Sequence, residues 1–129
     1  MKKPLLGLLV IMALVGTYSI SAQTTRRVRF ARGASSATVS GQVEGYDYID
    51  YIVGAKAGQP MSVRLTESSV VEFVIRLPDG QNLGMEATGV REWSGELPES
   101  GDYSIRVLMS RADARRGTTA RFSLRISVD

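Results

Sequence analysis

The 129-residue chain contains no cysteine and no histidine. Without cysteine there is no disulfide, no thiolate nucleophile and no soft metal ligand, and without histidine the commonest general base is missing. Lysine is nearly absent as well, since beyond Lys2 and Lys3 only Lys56 remains, which leaves almost no amine for covalent chemistry. Carboxylates are plentiful, yet no two of them stand in a recognisable glycosidase context. The inventory therefore points to binding and away from catalysis, with no cofactor or metal expected. No long helical period appears beyond the first residues.

Those first residues have a pattern of their own. Met1-Lys2-Lys3 precedes the apolar run Leu5 to Val15, and Ile20-Ser21-Ala22 ends on a small residue. A charged start, an apolar middle and a small-residue exit make a secretory signal peptide, expected to be cleaved after Ala22. The run is shorter than the ~20 residues that span a bilayer, and with no cysteine there is no lipoprotein anchor. The product expected is a single exported domain, residues 23–129, in the periplasm and not held at a membrane. Its 107 residues (129 − 22) suffice to bury roughly 65% of the unfolded surface without disulfide help.

The signal peptide removes Lys2 and Lys3, so the net charge falls from +3 to +1 (3 − 2). That balance gives no reason to expect nucleic acid as a partner. The charge is nevertheless uneven. Glu67 to Asp102 holds eight acids against Arg76 and Arg91, whereas Tyr103 to Asp129 holds six arginines against Asp113 and Asp129. One end of the domain should be electropositive.

Apolar residues alternate through Val28 and Phe30, Val39, Tyr48 to Val53, Met61 to Leu65, Val70 to Leu77, Ile105 to Met109, and Phe122 to Val128. Period two predicts half-buried strands. Turn residues separate them at Gly45, Ala57-Gly58-Gln59-Pro60, Pro78-Asp79-Gly80, Pro98-Glu99-Ser100-Gly101 and Gly117. Seven or eight short strands at this spacing predict an all-β fold, an antiparallel, jelly-roll-like β-sandwich.

Three segments are candidates for function. Ser100-Gly101-Asp102-Tyr103 reads as a tight turn entering a strand, where Tyr103 either packs in the core with its hydroxyl on nearby backbone or contributes to recognition. In Tyr46-Asp47-Tyr48-Ile49-Asp50-Tyr51, alternation sets Tyr46, Tyr48, Asp50 and Ile52 on one face and Asp47, Ile49, Tyr51 and Val53 on the other. The acid spacing does not match a calcium loop, so exposed tyrosines are better used as contact surface. Arg111-Ala112-Asp113-Ala114-Arg115-Arg116 is either a solvated loop or, as a helical turn, a pair of guanidiniums four residues apart with Asp113 bracing one of them. Trp93, the single tryptophan, reads as a core or sheet-face residue.

These residues resemble the periplasmic inhibitors of goose-type (g-type) lysozyme. The likeness runs through Val28-Arg29-Phe30, Gly33, Ser35-Ser36-Ala37, Ser40-Gly41, Gly45-Tyr46-Asp47-Tyr48 and Ala55 to Gln59. It resumes in Ser100-Gly101-Asp102-Tyr103, Arg106-Val107-Leu108 and Arg111-Ala112-Asp113-Ala114-Arg115. The resemblance implies a small antiparallel β-sandwich that docks on g-type lysozyme as its protein partner and blocks the cleft with charged loop residues. Contacts are expected from Tyr46, Asp47, Ser100, Tyr103, Arg111 and Arg115, with Asp113 as the brace. Ser68 to Trp93 and Gly117 to Ala120 depart from the family pattern. A second resemblance, through Asp50-Tyr51, Ala57-Gly58-Gln59 and the Ser-Gly-x-Tyr turn, is to the β-sandwich domains that follow the catalytic part of secreted peptidases. It implies a non-catalytic module for cell-wall, sugar or protein partners.

Overall fold

Alternation becomes strand through most of the chain because one face of each segment has apolar neighbours to pack against while the other is polar and solvated. The structure, a computed structural model, describes residues 22–129. The expected signal peptide therefore lies outside the described residues, apart from Ala22. The strands are β1 (Gln23–Arg27), β2 (Ser36–Glu44), β3 (Tyr48–Ala55), β4 (Pro60–Thr66), β5 (Val71–Arg76), β6 (Thr88–Val90), β7 (Glu92–Glu96), β8 (Gly101–Met109) and β9 (Thr119–Val128). A 3-10 turn at Met85–Ala87 and one short helix, α1 (Arg111–Arg115), complete the elements.

Two sheets form. One has the order β1-β3-β8-β5-β6 and the other β2-β9-β4-β7. All pairings are antiparallel except that of β1 with β3, which is parallel and pairs Gln23 with Tyr48 and Arg27 with Ile52. The chain thus carries nine strands among its described residues, against the seven or eight expected. Val28 and Phe30 do not belong to a strand; they lie in the β1–β2 connection, where Val28 is buried. The first strand is instead the polar segment Gln23–Arg27, which alternation could not reveal because its side chains are largely exposed on a sheet edge.

The core lies between the sheets. Ile49, Tyr51 and Val53 from β3 and Tyr103, Ile105, Val107 and Met109 from β8 meet Phe122, Leu124 and Ile126 from β9 and Met61, Val63 and Leu65 from β4. No polar or charged residue is buried among those described. Tyr51 meets Phe122 edge-on, with ring centres 6.3 Å apart. Gly41 makes this close approach possible, since a Cβ there would stand 2.7 Å from Phe122 Cζ and 2.8 Å from the Tyr51 hydroxyl. Trp93 is buried on β7 and folds over Gly95, where a Cβ would come within 2.6 Å of the indole.

Register fixes the two ends of the sandwich. Glu44 pairs with Thr119, Tyr48 with Leu108 and Val71 with Met109, so the β2–β3 turn, the β4–β5 turn and α1 share one end. Ala55 pairs with Gly101 and Pro60 with Glu96, which sets the β3–β4 and β7–β8 turns at the other.

Candidate functional site

The double arginine is held on α1, the only helix longer than a single 3-10 turn among the described residues. Ser110 stands at its N-cap and Asp113 is the third helical residue. The Ser110 hydroxyl donates to Asp113 Oδ2 at 3.0 Å, and the Asp113 carboxylate also favours the positive end of the helix. The helix stops at Gly117, which adopts φ +73°. There the Gly117 N–H donates to the Ala114 carbonyl at 3.1 Å and the Thr118 N–H to the Asp113 carbonyl at 3.1 Å, a Schellman closure that requires a left-handed residue. Ala114 is buried and anchors the turn on the core.

Arg111 and Arg115, four positions apart on the helix, are both exposed. The ion pairs among the described residues are Arg27–Asp102, Arg106–Asp50 and Arg116–Asp113. Neither Arg111 nor Arg115 has an acidic partner among the described residues. Asp113 braces the helix through Ser110 and Arg116, the latter at 3.4 Å, and pairs with neither of the two arginines.

The turn bearing Tyr46 and Asp47 docks against this helix. The Gly45 N–H donates to the Thr118 carbonyl at 2.9 Å, and Gly45, at φ +59°, lies beside the Ala114 carbonyl and Gly117. Tyr46 is 58% exposed, one of two large apolar side chains so displayed among the described residues. Asp47 accepts the Ala22 N–H at 2.7 Å, which ties the turn to the chain just before β1. Tyr46, Asp47, Arg111, Asp113 and Arg115 therefore share one end.

Ser100 and Tyr103 do not join them. They stand where β8 begins, while α1 follows its end, and the six strand rises from Tyr103 to Met109 alone part them by roughly 20 Å. The Ser100 hydroxyl accepts the Ala57 N–H at 2.9 Å and so ties the β7–β8 turn to the β3–β4 turn. Tyr103 is fully buried; its hydroxyl donates to the Glu99 carbonyl at 2.7 Å and accepts the Glu99 N–H at 3.0 Å.

Two arginines that sequence reasoning did not single out organise the α1 end. Arg106 grips Asp50 bidentately at 2.8 and 3.0 Å, and its guanidinium lies 4.0 Å over the Tyr48 ring, whose hydroxyl donates to Gln23. The Asp50 hydrogen bond is the main cause that raises the Arg106 pKa. Arg91 donates to the Ser68, Val71 and Leu65 carbonyls and so pins the β4–β5 turn. The alternation did put Asp50 and Tyr48 on one face, but the partner from β8 depends on strand pairing. Asp50 is thereby committed to an arginine, and no cluster of metal-binding side chains occurs among the described residues.

The inhibitor of g-type lysozyme of Escherichia coli (strain K12) is 32% identical over 124 residues, 92% of this chain and 92% of that protein. This chain belongs to the g-type lysozyme inhibitor family. A solved member, the periplasmic inhibitor PliG of Aeromonas hydrophila, is 40% identical with a TM-score of 0.78, covering 85% of this chain and 100% of that one. The family's sandwich has a more distant likeness in the pre-peptidase C-terminal domain of a Bacillus anthracis collagenase, at 13% identity and a TM-score of 0.56 over 86% of this chain and 100% of that one. That likeness is one of fold alone. No family model matches the chain.

Proposed function

We propose that this protein is exported to the periplasm and inhibits g-type lysozyme without chemistry of its own, by laying the α1 end over the enzyme's cleft. Membership of the inhibitor family supports the partner. The observation that carries the site is the display of Arg111 and Arg115 on a closed helical turn, exposed and without acidic partners among the described residues. A glycosidase cleft works through carboxyl groups, and a guanidinium offers a flat fork of donors that fits a carboxylate. Arg111 and Arg115 supply that grip. Tyr46 adds rigid contact area beside them, while Asp47 and Asp113 hold the two turns in place. Ser100 and Tyr103 act at a distance, by fixing the opposite turns of the scaffold.

The test is lysis of a peptidoglycan suspension by g-type and chicken-type lysozymes with and without the purified protein. Protection against the g-type enzyme that the Arg111→Ala/Arg115→Ala variant loses is the expected result. Failure to protect against either enzyme would leave a sandwich module with another partner.

A further inference from the structure

The outer face of the β2-β9-β4-β7 sheet bears no aromatic or branched aliphatic side chain. Its register sets polar residues in rows across the strands. Ser36, Ser127, Ser62 and Ser94 form one row, and Thr38, Arg125, Arg64 and Glu92 form the next. Arg125 and Arg64 are thus directly opposed on neighbouring strands, where like charges destabilise the pairing. Neither closes an ion pair among the described residues. Glu92, opposite Arg64, forms none with it, and the contact of Arg125 with the Ser36 hydroxyl is a marginal 3.5 Å. A shallow depression of about 220 Å³ lies here, lined by Val63 and by the polar Ser62, Arg64, Glu92, Ser94, Arg125 and Ser127.

We propose that this depression binds a phosphate group. Two permanently charged guanidiniums, with the Ser62 and Ser127 hydroxyls beside them, offer more donors and more charge than a planar monovalent carboxylate uses. A tetrahedral dianion takes both forks at once and offsets the repulsion between them. Glu92 lines the β7 side of the depression, where its carboxylate opposes an anion, so the phosphate is held from the side of the two arginines. A neutral sugar has no aromatic platform here to stack on. The site stands on the sheet face, apart from the α1 end, and does not rest on the inhibitor reading.

Inorganic phosphate titrated into the purified protein, with chloride holding the ionic strength constant, should shift the amide resonances of Ser62, Ser94 and Ser127 saturably. It should also raise the melting temperature, because a ligand that binds only the folded state stabilises it. The Arg64→Gln/Arg125→Gln variant should bind about tenfold more weakly or worse, through loss of charge-assisted hydrogen bonds. In chloride alone the same variant should melt no lower than the parent, since it lacks the opposed pair. That separates lost binding from lost folding. Glucose 6-phosphate and phosphatidic acid vesicles, run as parallel arms, tell a sugar phosphate from a lipid headgroup, and a preference for inorganic phosphate over both identifies the free ion. No saturable shift with any of the three, or equal shifts and equal melting gains in the double variant, would overturn the proposal.

Discussion

Tyr103 and Tyr51 both point into the core from the same sheet, and only one of them has a partner for its hydroxyl. Tyr103 satisfies both the N–H and the carbonyl of Glu99. Tyr103→Phe should therefore cost about 1–3 kcal/mol, the worth of two buried hydrogen bonds, measured by denaturant unfolding. The Tyr51 hydroxyl is buried without a partner among the described residues, so Tyr51→Phe should be neutral or stabilising by up to ~1 kcal/mol. Burial raises the Tyr51 pKa above the ordinary tyrosine value, against a smaller lowering by Arg26. In alkali the unfolded chain then loses its phenolic proton first. Stability should fall as pH rises beyond ~10 and through the folded-state value, and Tyr51→Phe should flatten that limb of a melting-temperature profile. A steep limb that survives the substitution would contradict the assignment. The sequence left Tyr103 as either a core or a recognition residue, and alternation set Tyr51 on one face with Ile49 and Val53 without deciding which face turned inward. Which hydroxyl is satisfied was open, because that depends on the turn geometry before β8.

At the scale of elements, the proposed site depends on how α1 ends. Gly117 sits in the left-handed region that L side chains adopt at a cost of about 1–2 kcal/mol. Gly117→Ala should lower stability by roughly that amount and, by loosening the Schellman closure, weaken inhibition as well. Gly41 has a packing role instead. Gly41→Ala should cost ~1–3 kcal/mol by forcing Phe122 and Tyr51 apart, with inhibition intact in whatever folds. The helical turn at Arg111 to Arg115 was legible as one of two alternatives, since five residues are too few for periodicity to decide. The bracing of Asp113 by Ser110 and Arg116 was not, because short-range polar contacts of this kind are selected by cap geometry. Strand β1 escaped notice altogether. Its sequence has no apolar alternation, and its place at a sheet edge is fixed by backbone pairing to β3.

Across the whole molecule, strand register decides which of the sequence-level candidates can act together. Alternation and turn residues revealed a two-layer β architecture, but not its pairings, and only the pairings part Ser100 and Tyr103 from the arginine end. Of the six arginines in Tyr103 to Asp129, Arg111 and Arg115 stand on α1 and Arg116 at its C-cap. Binding through exposed charge should weaken as salt is added. The acid limb of stability belongs to the same scale, because Arg27 on β1 reaches Asp102 on β8 across Gly54. The hydrogen bond from Arg27 is the chief cause that lowers the Asp102 pKa. Its contribution is present above the ordinary carboxylate value and is lost as pH falls below it toward the folded-state value. Asp102→Asn should flatten that acid decline while leaving inhibition unchanged.

The most direct test of the account is the dissociation constant of the complex with g-type lysozyme, measured by calorimetry for the protein and for Arg115→Ala. Because Arg115 is exposed, the variant should fold with parental stability. Its binding should weaken by ~2–5 kcal/mol, the loss expected when a buried charge partner in the cleft is left unpaired. A change under ~0.5 kcal/mol would put Arg115 on a solvated rim and contradict the claim that the α1 end fills the cleft.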